Sequence, residues 1–168
     1  MAGTLVVQTL QGPTSGANAN KVIIPSGQTL TAPGHVIQVV QGSTTSKVTT
    51  TSATYTDTTL SASITPSSTS SKILIAVNQS LYNSGTANGN LRIVKDSTTL
   101  ITQGYAPWDG VAFLSWVTFS YLDSPSTTSA LTYKTTFARN SGSGDLIANF
   151  SSGAEDMTSF ITLMEIAG

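Results

Sequence analysis

The stretch KILIAVNQSLYN, Lys72 to Asn83, decides the class of fold. Its apolar residues alternate. Ile73, Ile75 and Val77, followed by Gln79, share one face, and Leu74, Ala76 and Asn78 share the other. A period of two belongs to a strand, and β-branched Ile and Val favour that pleated geometry.

The same signature repeats outward in both directions. Upstream, SSTSS (67–71) reads as a turn, and KVTTTSATYTDTTLSASITP (47–66) ends in alternation that puts Leu60, Ala62 and Ile64 on one face. HVIQVVQ (35–41) reads as the first strand of the domain. Downstream, SGTANG (84–89) is a loop, and NLRIVKDSTTLITQG (90–104) is a hairpin turning near Lys95–Asp96–Ser97. VAFLSWVTFSYLDSP (111–125) is the longest strand candidate, and SALTYKTTFARN (129–140) is expected to pair with it across SPSTTS. SGSGD (141–145) turns the chain into the short LIANFS (146–151), and SFITLMEIAG (159–168) closes it. A weak helical pattern near Ala154–Thr158 is the one competitor. About eight strands with turns between them predict an all-β fold, an antiparallel β-sandwich or jelly roll.

Composition agrees and narrows the function. Of 168 residues only 9% are charged, against about 25% in ordinary soluble proteins. Ser and Thr together supply 52 positions. At 39% hydrophobic the chain is no disordered segment, so its exposed strand faces are expected to be hydroxylated rather than charged. The absence of Cys excludes disulfides, thiol nucleophiles and Cys-based zinc sites. A net charge of −1 with seven basic residues gives no nucleic-acid surface. Met1 to Leu10 lacks the basic and apolar regions of a signal peptide, and no apolar run reaches the roughly 18 residues of a membrane helix.

Residues 1–33 read differently from 34–168. Two short apolar runs, containing Leu5, Val7 and Leu10 and then Val22, Ile23 and Ile24, are separated by the loop-like QGPTSGANAN (11–20). Two short strands cannot build a core. Either the segment is flexible or, as we favour, it is an N-terminal arm that packs on something outside its own fold. His35, after Pro33–Gly34, reads as a hinge or strand-start residue, since no Gly-x-Ser-x-Gly elbow accompanies it. Asp109, Asp123, Asp145, Glu155 and Asp156 form no spaced carboxylate or calcium motif. No catalytic residue, metal or cofactor is expected, and the chain is not read as an enzyme.

Two strands are apolar on both faces. In 111–122, Val111, Phe113, Val117, Phe119 and Tyr121 oppose Ala112, Leu114, Trp116 and Leu122. In the last strand Phe160, Met164 and Ile166 oppose Ile161, Leu163 and Ala167. An antiparallel sandwich strand normally wets one face, so a second cover is needed, either a long loop or another copy of the chain. Leu114, Trp116, Ile161, Leu163 and Glu165 are the interface candidates. Glu165, within an apolar strand, needs a partner (Arg92, Lys134 or Arg139) or a route to solvent. In GYAPWDG (104–110), Tyr105, Trp108 and Asp109 form either a ligand loop able to stack on a sugar or partner, or a corner plug of the sandwich.

YTDTTLSASITPSSTSSKILIAVNQSL (55–81), SALTYKTTFARNSGSG (129–144) and the terminal TLMEIAG resemble a jelly-roll domain of bacteriophage virion proteins. That domain occurs in tail-fibre-like and other virion proteins of marine and cyanobacterial phages. It is similar to the trimeric jelly rolls of the complement globular head and the tumour necrosis factor superfamily. LQGPTSGANANKVIIPSGQTL (10–30) resembles the attachment segment that opens many phage structural proteins. The resemblance implies a homotrimer with the two-faced strands near its axis, located in the virion and docked on a major capsid or tail protein. No coiled-coil heptads or shaft repeats precede the domain, so a compact capsid decoration, head fibre or tail appendage is expected rather than a long fibre. The alternative is a receptor-binding module for a host-surface glycan.

Overall fold

A computed structural model describes residues 13–17, 19, 32–106, 111–151 and 157–168. The chain falls into two units, Met1–Ala32 and Pro33–Gly168. Of the first, the described residues form a turn in which the Ala19 amide donates to the Gly16 carbonyl at 3.1 Å. The arm candidates Leu5, Val7, Leu10, Val22, Ile23 and Ile24 lie outside the described residues.

The second unit is built of ten strands: β1 (Val36–Thr44), β2 (Val48–Thr50), β3 (Thr56–Ile64), β4 (Lys72–Asn83), β5 (Asn88–Lys95), β6 (Thr98–Tyr105), β7 (Phe113–Asp123), β8 (Leu131–Ser141), β9 (Leu146–Ala148) and β10 (Ser159–Ile166). No helix occurs among the described residues. β4 spans the stretch whose alternation predicts it, and the Lys95–Asp96–Ser97 hairpin turn separates β5 from β6 as expected.

All pairings are antiparallel and make two sheets. In sheet A, β4 carries β7 along one side, while β10 and then β9 share its other side, with β1 and β2 outside them. Sheet B has the order β3-β8-β5-β6. The chain therefore changes sheet between β2 and β3, β3 and β4, β4 and β5, β6 and β7, β7 and β8, and β8 and β9. This winding is that of a jelly roll. It corrects one expectation: β8 does not pair with β7. Their connection, residues 124–130, crosses between the sheets. β7 pairs only with β4, and β8 lies between β3 and β5.

Between the sheets lie Ile73, Ile75, Val77, Leu81, Ile161 and Leu163 from sheet A, and Leu60, Ile64, Leu91, Ile93, Leu131, Tyr133 and Phe137 from sheet B. Leu60, Ala62 and Ile64 face inward together, as their period predicts. Val117, Phe119 and Tyr121 of β7 pack against the same core. Each such side chain, removed from water, contributes about 1.5–3 kcal/mol.

A buried polar cluster breaks this core near one end. Gln79 Nε2 donates to Asn149 Oδ1 (2.7 Å) and Ser159 Oγ (3.0 Å), and Gln79 Oε1 accepts from Thr135 Oγ1 (2.8 Å). Asn149 Nδ2 donates to the carbonyls of Ser46 (2.7 Å) and Thr58 (3.0 Å). Asn149 has φ 55°, a left-handed conformation that Asn tolerates. The cluster is satisfied, as a buried polar group must be. It ties β3, β4 and β8 to the residues that end β9 and begin β10.

Candidate functional site

The outward side of sheet A is the most unusual surface of the domain. Strand register sets its residues in rows across four strands. One row runs Val39, Met164, Leu74, Leu122. The next runs Gln41, Thr162, Ala76, Ser120, and the next Ser43, Phe160, Asn78, Thr118. Beyond them come the pairs Ser80–Trp116 and Tyr82–Leu114. Tyr82 stacks on Phe150 with ring centroids 4.2 Å apart. No residue in these rows carries a charge; the row at the strand end, Val36, Ile166 and Lys72, brings one exposed ammonium to the same face. Val39 (57% exposed), Leu122 (47%), Trp116 (43%) and Phe160 (37%) meet solvent in the isolated chain.

Leu114 and Trp116 stand on this outward face, as the alternation of β7 predicts. Ile161, Leu163 and Glu165 do not. They are fully buried between the sheets of their own chain and cannot meet a neighbouring subunit. The outward set of β10 is Phe160, Thr162, Met164 and Ile166. The two-faced pattern is therefore present, with the roles of the two faces exchanged. Val36 and Val39 of β1 belong to the surface too. Their place is obscured in sequence because the ladder slips between Val36 and Gln38, where a bulge breaks the period-two count.

Glu165 corrects a second expectation. Among the described residues no Arg or Lys reaches it. Gln38 Nε2 donates to its Oε2 at 2.6 Å, and the Ser67 amide and hydroxyl donate to Oε1, each at 2.7 Å. Burial pushes its pKa up, but those hydrogen bonds, with the nearby hydroxyl of Ser71, outweigh it and hold the carboxyl at about 2. Among the described residues Ser71 Oγ has no hydrogen bond of regular geometry, so Gln38 and Ser67 carry most of that effect. The charged partners expected for Glu165 lie elsewhere: Lys134 pairs with Asp57 at 2.9 Å, Arg92 lies 3.3 Å over the Tyr55 ring, and Arg139 donates to the Gly144 carbonyl at 3.0 Å. A half-buried cation–anion contact joins the sheets, Lys95 Nζ to Asp123 Oδ2 at 2.8 Å. The Tyr133 hydroxyl donates to the same oxygen at 2.7 Å. Burial and then the Asp123 carboxylate push the Tyr133 pKa upward.

Tyr105 is a corner plug. It is buried, and its hydroxyl is 3.0 Å from the Phe113 carbonyl and 3.3 Å from Asn83 Oδ1. Burial raises its pKa to about 12, so it stays a neutral donor. Trp108 and Asp109 lie outside the described residues. Beside Tyr105, an open cleft of about 500 Å³ runs between the edges of β6 and β7, lined by Gln103, Phe113, Ser115, Trp116 and Thr118 among others. No group of three or more His, Asp or Glu able to hold a metal occurs among the described residues.

No family model matches the chain, and no curated protein matches it. Among solved structures, one of infectious bursal disease virus, Gt strain, is similar at 14% identity and a TM-score of 0.35. The match covers 92% of this chain but spans only 46% of that one. A likeness that weak carries neither fold nor function across.

Proposed function

We propose that this protein is a structural protein of a phage virion: a homotrimeric jelly-roll knob, worn as a capsid decoration, head fibre or tail appendage, and anchored by its N-terminal arm. The phage assignment rests on the sequence resemblance. The observation that supports self-association is the run of uncharged, partly apolar rows on the outward face of sheet A, which Lys72 borders at the strand end. Rows without charge meet their own copy without like-charge repulsion, whereas leaving Val39, Leu122, Trp116 and Phe160 in water forfeits their burial. Four strands about 4.8 Å apart and eight residues long outline roughly 500 Å² before side-chain relief, the scale of one partner's share in a modest stable interface. A trimer presents two different patches of each subunit, one to each neighbour.

The chain enters the sandwich at Pro33–Gly34, where the Gly34 amide donates to the Ala167 carbonyl at 2.7 Å. The end of β4 and the starts of β7 and β10 lie at the other end of the strands. An arm leaving at one end suits attachment there and display of the opposite end. Deleting residues 1–33 is expected to leave a soluble trimer that no longer joins particles, scored by sedimentation for the trimer and by particle composition for incorporation. Full incorporation of the truncated protein would overturn the anchoring role. Imaging of labelled particles decides between capsid and tail.

A further inference from the structure

We propose that a polar belt across the outward face of sheet A sets the register in which copies of this chain meet, an inference that rests on the self-association proposed above. The belt is the pair of rows Gln41, Thr162, Ala76, Ser120 and Ser43, Phe160, Asn78, Thr118, in which six of eight residues are polar. On one side of it lie Val39, Met164, Leu74 and Leu122, and on the other Trp116, Leu114 and Tyr82.

Inside one subunit the belt is only partly satisfied. Gln41 Nε2 donates to Thr162 Oγ1 at 3.1 Å, and Thr118 Oγ1 donates to Asn78 Oδ1 at 3.4 Å. The Asn78 amide nitrogen and the Gln41 amide oxygen have no protein partner among the described residues, one a donor and the other an acceptor. In the free chain water serves both. In an interface they need each other or their like from the next copy.

The symmetry supplies that partner only at one height. Every copy's chain enters at the same end of its strands, beside Ala167. If all arms are to reach one docking surface, the rotation axis runs along the strands. Rotation about such an axis leaves all copies level, so belt meets belt. A slip by one pleat repeat, about 7 Å, would instead set the amides of Gln41 and Asn78 against Met164, Leu74 or Trp116 and leave them dry and unpaired. A polar layer within an apolar contact fixes register and copy number in coiled coils in the same way, at some cost in stability.

The test uses the full chain carrying Asn78→Leu and Thr162→Val together, studied by native mass spectrometry and sedimentation velocity over a concentration series. These side chains face outward, so thermal unfolding should show the fold retained. Thr162→Val alone, nearly isosteric, serves if the pair does not fold. The expected result is one assembly for the natural protein and two or more for the variant, with no loss of total association. A variant that stays a single assembly of the natural mass and concentration dependence overturns the register role alone. A natural protein that remains monomeric throughout overturns the self-association, and the belt with it.

Discussion

The two outward faces of this sandwich are built from the same strand grammar and differ in kind. Sheet A shows Val39, Met164, Leu74 and Leu122 in one row and no charge in that row or the rows beyond it, with Lys72 at the strand end. Sheet B shows Asp57, Thr136, Arg92 and Thr102 in one row, then Ser61, Lys134, Val94 and Thr99, with Ser63 paired to Thr132. Its few charges are occupied locally: Lys134 with Asp57, and Arg92 between Thr102 Oγ1 (3.2 Å) and the Tyr55 ring. Sheet B is thus finished as a water-facing surface and sheet A is not. The low charge of the chain is unevenly spent. In the proposed assembly the face poorer in charge is the one that meets another copy.

The largest effect that separates the faces comes from placing one carboxylate on each. Val39→Asp or Leu122→Asp puts an unpaired charge on the sheet A surface, where burying it costs about 3–5 kcal/mol. Association should weaken by roughly a hundredfold or more, read as a shift to monomer in sedimentation. Thr132→Asp on sheet B should leave the assembly unchanged. Equal dissociation by both, or by neither, breaks the comparison. The same contrast predicts that raising salt hardly weakens the assembly, since the rows proposed to meet are uncharged and only Lys72 borders them.

The next effect distinguishes the inner from the outer side of β10. Glu165 has a folded-state pKa of about 2 against an ordinary 4.5. The unfolded chain therefore binds its proton more readily. The stability this carboxylate contributes is complete above pH 4.5 and is lost as pH falls toward 2. Its size is roughly 3 kcal/mol. Urea unfolding of the natural protein and of Glu165→Gln should differ most at neutral pH and converge in acid. A difference constant with pH would show that the ionised form receives no special support from Gln38 and Ser67. Its neighbour Met164, facing outward, should show no such dependence when changed to Leu.

Much of this was legible in the sequence. Period-two alternation located β4, the β5–β6 hairpin and the inward set of β3, because inward and outward residues alternate without a break through Lys72–Val77 and Thr58–Ile64, even though the β3–β8 and β5–β6 ladders slip. Strand partners were not legible. β7 and β8 are adjacent in sequence and joined by a turn-rich segment, yet they sit in opposite sheets, since a long connection can cross the sandwich as readily as fold back. The two-faced strands were visible, but which face of β10 met the core depended on register with β4: Ile161 opposes Val77, and Leu163 opposes Ile75. The partners of Glu165 were hidden because neutral donors from Gln38 and Ser67 leave no charge signature. Tyr105 was read both ways, and its hydrogen bonds to β4 and β7 decide for the plug.

The smallest effects belong to sheet B, and their smallness is the point. The Lys134–Asp57 pair has side chains 32% and 56% exposed, so water and salt screen it, and pairs of that kind contribute about 0–1 kcal/mol. Arg92 over Tyr55 contributes on the order of 1 kcal/mol. Lys134→Ala and Arg92→Ala should each lower the melting temperature by only about 2–4 °C and leave the assembly intact. The sharper measurement is a double-mutant cycle on Asp57 and Lys134. A coupling below about 1 kcal/mol that shrinks further in salt fits a face bathed in water. A coupling several times larger and insensitive to salt would mean the pair is desolvated, which the open surface of sheet B does not allow in the isolated chain. Something would then have to cover sheet B as well, and the two faces would no longer differ in what they meet.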